Sequence, residues 1–252
     1  MCGIAGWYRR QGRPVDPATI TAQCDTIVHR GPDDSGVLAE GDFGNPVILG
    51  CIGLAILIVS GAPWRLLWFA GGAGLIGGVV IIATGSSYRF RRIASWLNPD
   101  KYANSDGYQL LNGKYALADG GWFGHGLGNS SEKWGGVPAP HTDFILPIIG
   151  QELGLAGTAT VMFLLLFVIL VAFRIADHST HYYDRLVAFG IATWLTVQTL
   201  VNVGGVTQLF PITGVPLPFV SYGGTSTIFL MVAMGLLFSI SRHNSTVESG
   251  VM

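Results

Sequence analysis

The sequence predicts an all-α integral membrane protein with about five transmembrane helices, a long extracellular loop and a re-entrant segment, preceded by a short polar head. Three observations carry this. Half of the 252 residues are apolar and only 12% are charged, against about 25% charged in soluble domains. Mean hydropathy is +0.48. The apolar residues also come in long runs, without the charge every turn or two that a core helix of a soluble protein shows on its outer face.

The runs cover residues 46–61, 66–84, 144–172, 186–210 and 225–240. A bilayer core of about 30 Å takes roughly 20 residues at 1.5 Å each. The second run carries no charge and spans that distance unaided. The first and fifth are slightly short, and the third is long enough to tilt. Together they form a membrane domain over residues 45–242, with a loop at 85–142 and a tail at 243–252.

Basic residues in the short connections set the orientation. Arg65, Arg174, Arg185 and Arg242 place those connections and the C-terminal tail in the cytoplasm, with the 85–142 loop and the head outside. The first 45 residues lack the basic start and apolar core of a secretory signal, so insertion is expected to rely on the spans. A net charge of -1 gives no pointer to nucleic acid. Cys2, Cys24 and Cys51 have no metal-ligand or redox spacing, and Cys51 inside a span reads as a buried structural thiol.

The polar head, residues 1–44, contains a short amphipathic helix entered at Asp16–Pro17, with Ile20, Cys24, Ile27 and Val28 on one face. Loss of Met1 would leave Cys2 with its own α-amine as base for the thiol. "MCGIAG" followed by "HRGPDDSG" resembles the start of class II glutamine amidotransferases, asparagine synthetases above all. The resemblance implies that Cys2 is the nucleophile that attacks a glutamine amide. The segments that hold the glutamine carboxylate and build the oxyanion hole in that family have no counterpart here. One oxyanion donor alone is worth about 10²–10³ in rate. Cys2 is therefore read as vestigial, with glutamine hydrolysis as an alternative function.

The 85–142 loop and its exit carry the polar chemistry. Arg89, Arg91 and Arg92 with Ile93, Trp96 and Leu97 read either as an interfacial helix with snorkelling arginines or as a basic platform for a lipid phosphate. The glycine-rich "DGGWFGHGLG" folds tightly, Trp122, Phe123 and Trp134 suit sugar faces, and Lys133 suits a phosphate. Asp143, preceded by His141 and Thr142, stands at the entrance to the third run. A carboxylate there is a functional candidate by default, with a helix N-cap as its other reading. After the fourth run, three prolines and several glycines interrupt the helical pattern. Such backbone is tolerated at membrane depth only where it is packed in protein or lines a wet cavity. Asn202, Thr207, Gln208, Ser221 and Ser226 supply polar groups there.

"GGWFGHGLGNSSEKWG", "HTDFI", "IIGQELGLAG" and "FPITGVPLPFVSYGGTS" resemble the SEDS family of bacterial cell-wall polymerases, FtsW and RodA, over residues 40–242. The resemblance implies a multi-pass protein of the bacterial inner membrane that polymerises lipid II in cell division or cell-shape control. It implies Asp143 as general base and matches Lys133 to the family's functional motif; His141, Thr142, Asn202, Gln208, Ser221, Arg89 and Arg92 are further candidate substrate contacts by their polar or basic character. A divalent cation, Mg or Mn, is a candidate companion of the lipid pyrophosphate. The implied partners are undecaprenyl-pyrophosphate glycan, a class B penicillin-binding transpeptidase and division proteins. A non-catalytic division scaffold is the other alternative.

Departures from the family pattern are specific. Only the last five of about ten spans are matched. Asn112-Gly113 replaces a usual Gln-Ser, Gln151 replaces a usual acid, and Pro147 is expected to kink the third span. "EGDFGNP" at 40–46 is where the two resemblances meet.

Overall fold

The computed structural model describes residues 44–84, 93–102, 107–130 and 142–249, all within the unit Asp42–Met252. Every regular element among them is helical. These are α1 (Gly44–Val59), α2 (Trp64–Thr84), α3 (Tyr108–Asp119), α4 (Ile145–Asp177), α5 (Tyr182–Val206) and α6 (Gly224–Ser249). A single helical turn at 93–97 and a 3-10 turn at Pro99–Tyr102 precede α3. The helix expected in the head, and Cys2 with it, lie outside the described residues.

Three helices are long and apolar enough to cross a membrane: α4, α5 and the Gly224–Asn244 portion of α6. α1 is apolar but shorter, and α2 has 21 residues with Arg65 as its one charge. Phe163, Leu164, Phe167 and Leu170 on α4, and Ile228, Phe229, Met231 and Val232 on α6, are each more than half exposed. Such outward apolar faces suit hydrocarbon.

The shared core of α4, α5 and α6 is built from small residues as much as large ones. Ala172, Ala176, Ala188 and Ala192 are buried beside Ile191, Leu195, Leu230 and Leu237. Lipid tails are as apolar as leucine, so helices in a bilayer associate by close packing, and alanine lets their backbones approach. On another face of α5, Gly190 admits Ile52 and Ile56 of α1.

α1 ends as glycine dictates. Gly61 takes φ +74, and its N–H and that of Ala62 return to the carbonyls of Ile58 and Leu57. That is a Schellman termination, which needs a left-handed residue.

The kink expected at Pro147 is elsewhere. Pro147 lies in the first turn of α4, just after the N-cap Phe144. An N–H there has no intrahelical acceptor, so proline removes nothing. The break is at Gly154, with φ 68 and ψ -166 inside the helix.

At this break the ladder of α4 is handed to the glycine-rich loop. His125 and Gly126 donate N–H to the carbonyls of Gln151 and Glu152, while Leu155 and Ala156 donate to Gly121 and Trp122. Four backbone groups that a broken helix would leave unpaired are thereby satisfied, as a segment at membrane depth requires. Side chains could not be accommodated at this crossing. A Cβ on Gly120 would collide with the Gly150 carbonyl, and one on Gly154 would sit 2.5 Å from the backbone nitrogen of Gly124.

Candidate functional site

Asp143 sits just outside α4. Phe144 is the N-cap and makes no side-chain capping bond, so the N-cap reading of Asp143 does not hold. Phe144 is buried, and its ring fits against α3 because residue 113 is glycine: a Cβ there would lie 2.9 Å from Phe144 Cε1. Gly113, a departure from the family pattern, thus belongs to the seat of the residue that follows Asp143.

The Asp143 carboxylate accepts a hydrogen bond from Thr142 Oγ1 at 2.9 Å. Its backbone carbonyl accepts from Asn202 Nδ2 at 2.8 Å. The same Nδ2 donates to the Val215 carbonyl at 2.8 Å. One helical turn earlier on α5, Gln198 Nε2 donates to the Pro216 carbonyl at 2.9 Å. Gln198 and Asn202 share a helix face at this spacing and hold two consecutive carbonyls of the proline-rich segment.

That segment, residues 207–223, is non-helical, yet Val215 and Leu217 are buried. Pro211, Pro216 and Pro218 have no N–H to satisfy, and α5 side chains meet the carbonyls. Ser221 Oγ accepts from the Leu217 N–H at 2.7 Å and closes the last turn. Gln208 has φ 63, and its carbonyl accepts from Trp96 Nε1 at 2.8 Å. Trp96 therefore points its polar edge into the protein. Leu97 beside it is exposed.

A pocket of about 10 Å³ lies among Asp143, Asn202, Ile212, Thr213 and Val215. That is about the space one water needs. A larger open groove of about 720 Å³ runs along Ser221, Tyr222, Thr227, Ile228 and Met231, mostly apolar.

A second polar cluster joins α3 to α4. Gln151 Nε2 donates to Asp119 Oδ2 at 2.9 Å, and Ser130 Oγ donates to Gln151 Oε1. His125 Nε2 is 3.1 Å from Asp119 Oδ2. The Gln151 amide holds the Asp119 carboxyl below its ordinary 3.8; desolvation opposes this and His125 reinforces it. Trp122 and Phe123 on the same loop are exposed.

Of the residues singled out in the sequence, Asp143, Thr142 and Asn202 are brought together. Gln208 and Ser221 belong to the same proline-rich segment, held by backbone-directed bonds. Cys2, Arg89, Arg92, Lys133 and His141 lie outside the described residues. Sequence reasoning missed Gln198 and the Asp119–Gln151 pair. A glutamine one turn before Asn202 on an apolar helix was the available signal for the first. Among the described residues no group of three or more His, Cys, Asp or Glu stands together to hold a metal.

Residues 34–246 match the family model described as cell cycle protein, FtsW/RodA/SpoVE. The chain belongs to this family. The match reaches back into the segment read from sequence as the head. Probable peptidoglycan glycosyltransferase FtsW of Bacillus subtilis (strain 168) is 40% identical over 218 residues, covering 82% of this chain and 53% of that protein. Stage V sporulation protein E of the same organism is 36% identical, covering 82% of this chain and 57% of that one. FtsW of Mycobacterium tuberculosis is 38% identical, covering 82% and 39%.

The chain spans about half the length of the first two of these relatives. Two solved structures share the fold. One, described as "Structural coordination of polymerization and crosslinking by a peptidoglycan synthase complex", aligns with TM-score 0.64 at 24% identity, over 90% of this chain and 61% of that one. A mutant of the Rod shape determining protein RodA of Thermus thermophilus aligns with TM-score 0.52 at 21% identity, over 93% and 60%.

Proposed function

We infer that the chain carries the reaction centre of a lipid II polymerase of the bacterial inner membrane, with Asp143 as general base. The observation that carries this is the seating of Asp143. It stands at the mouth of α4 with one carboxylate oxygen oriented by Thr142 and its backbone tied to α5. Relatives named as peptidoglycan glycosyltransferases, at up to 40% identity among those given above, support the same reading.

In the reaction Asp143 takes the proton of the acceptor sugar's 4-hydroxyl. The oxygen bonds to the donor's anomeric carbon as the bond from that carbon to pyrophosphate breaks. Undecaprenyl pyrophosphate leaves with the electron pair, and Lys133, Arg89 and Arg92 are suited to its charge. His141, Gln208 and Ser221 are the proposed contacts of the sugars. A divalent cation would arrive on the pyrophosphate as part of the substrate. General-base help of this kind is worth about 10²–10⁴ in rate.

The proposed topology has five spans, with α1 and α2 joining the three long helices. The 85–142 loop is outside, the 207–223 segment is re-entrant, and the tail is cytoplasmic. A class B penicillin-binding transpeptidase is the proposed partner, which fits the fold shared with a chain of a peptidoglycan synthase complex. The resemblance of residues 1–44 to amidotransferases rests on "MCGIAG" and "HRGPDDSG" alone. Ammonia release from glutamine that Cys2→Ala abolishes would establish it.

Glycan-strand formation from lipid II by the detergent-purified chain tests the main reading, with Asp143→Asn alongside. Polymer that disappears in the variant is expected. Equal polymer from both would overturn Asp143 as base. No polymer from either, with the transpeptidase still captured, would favour the scaffold.

A further inference from the structure

We propose that Asn202 is a positioning residue for Asp143, holding its backbone in place, and does not touch substrate; the proposal rests on Asp143 being the catalytic base. A primary amide has two N–H donors. Both hydrogens of Asn202 Nδ2 are committed, one to the Asp143 carbonyl and one to the Val215 carbonyl, each at 2.8 Å. The side chain is 4% exposed, so no sugar or phosphate reaches it in this arrangement.

The Asp143 carbonyl needs such a donor. Four residues on stands Pro147, which has no N–H to return to it. Asn202 supplies one from a different helix, 59 residues along the chain. Thr142 fixes the carboxylate end of the same residue. Thr142 and Asn202 thus hold the side chain and the backbone of Asp143, and Asn202 also grips the proline-rich segment through Val215.

The remaining atom fits this role. Asn202 Oδ1 is buried and has no hydrogen-bond partner. A buried amide oxygen left unpaired is unfavourable, and Asn202 borders the pocket of about 10 Å³ that it shares with Asp143 and Thr213. One water there would satisfy the oxygen without opening the site.

The test is Asn202→Leu, which keeps the volume and removes both donors. A shift of about 1 Å in a reacting group is worth roughly 10²-fold in rate. The expected result is a kcat for lipid II polymerisation about 10- to 100-fold lower per folded molecule, with KM within about twofold. A rise in KM with kcat kept would make Asn202 a substrate contact and overturn the proposal, as would unchanged kinetics.

Infrared spectroscopy with ¹³C-carbonyl aspartate supplies a readout independent of turnover. Loss of the bond should move the Asp143 carbonyl band to higher frequency, and an unmoved band would overturn the proposal. Where wild type makes no polymer but the band moves, the catalytic reading has failed while the tie stands. If Asn202→Leu does not fold, Asn202→Ala removes the same donors and takes its place in both measurements.

Discussion

The Gln151 side chain donates to the Asp119 carboxylate across 2.9 Å and so links α4, just before its break, to the last residue of α3. Here an amide meets an acid on the neighbouring element. His125, whose backbone N–H is bound to the Gln151 carbonyl, faces the same carboxylate.

This pairing makes a pH prediction with a definite sign. Asp119 is held below its ordinary 3.8, chiefly by the Gln151 hydrogen bond. A depressed carboxyl contributes its stabilisation above the ordinary value and loses it as pH falls through the depressed one. In Gln151→Leu the Asp119 carboxyl should titrate closer to 3.8, and the acid limb of unfolding should move to higher pH. Carboxyl ¹³C NMR titration reads the first directly.

Gly154→Ala should destabilise the chain. The residue sits at φ 68, ψ -166, a conformation open in practice to glycine alone and costing others about 1–3 kcal/mol. The added methyl also meets the Gly124 backbone nitrogen at 2.5 Å. A melting temperature several degrees lower in detergent is expected, and an unchanged one would mean that the break is not held as described.

Trp96→Phe keeps the ring and removes the donor to the Gln208 carbonyl. Such a bond is worth about 0.5–1.5 kcal/mol. Hydrogen exchange should rise within 207–223 and not in the core of α4 to α6. Equal exchange in both variants would separate Trp96 from that segment.

Phe167→Asp tests the membrane face. In a soluble protein a residue 56% exposed tolerates this change. At the centre of a transmembrane helix an aspartate costs about 2.5–3.5 kcal/mol on insertion scales. The inserted fraction in microsomes should fall, and full insertion would argue against α4 as a span.

The long helices were legible because an apolar run needs only composition to be read. The run at 186–210 became Tyr182–Val206 and that at 225–240 became Gly224–Ser249. The boundaries moved because a hydrogen-bond ladder continues past the hydrocarbon, through Tyr182, Asp184 and Arg185. α3 was hidden inside a loop, since its buried face is Leu110, Gly113 and Ala116, too small to register as an apolar stripe. The break at Gly154 was hidden for the opposite reason: one glycine in an apolar run reads as tolerated helix. Asp143 and Asn202 were both legible as polar groups near membrane depth. Their bond was not, because tertiary packing alone joins positions so far apart in the chain.

The break in α4 has a bearing on height. From Gly154 to Asp177 the helix continues for about 35 Å at 1.5 Å per residue, close to the roughly 30 Å of a hydrocarbon layer. The part before Gly154 is then surplus to that length and is braced sideways by the glycine loop. α4 in this way acts as a ruler: its long arm matches the thickness of a bilayer core, and its short arm carries Asp143 beyond that length.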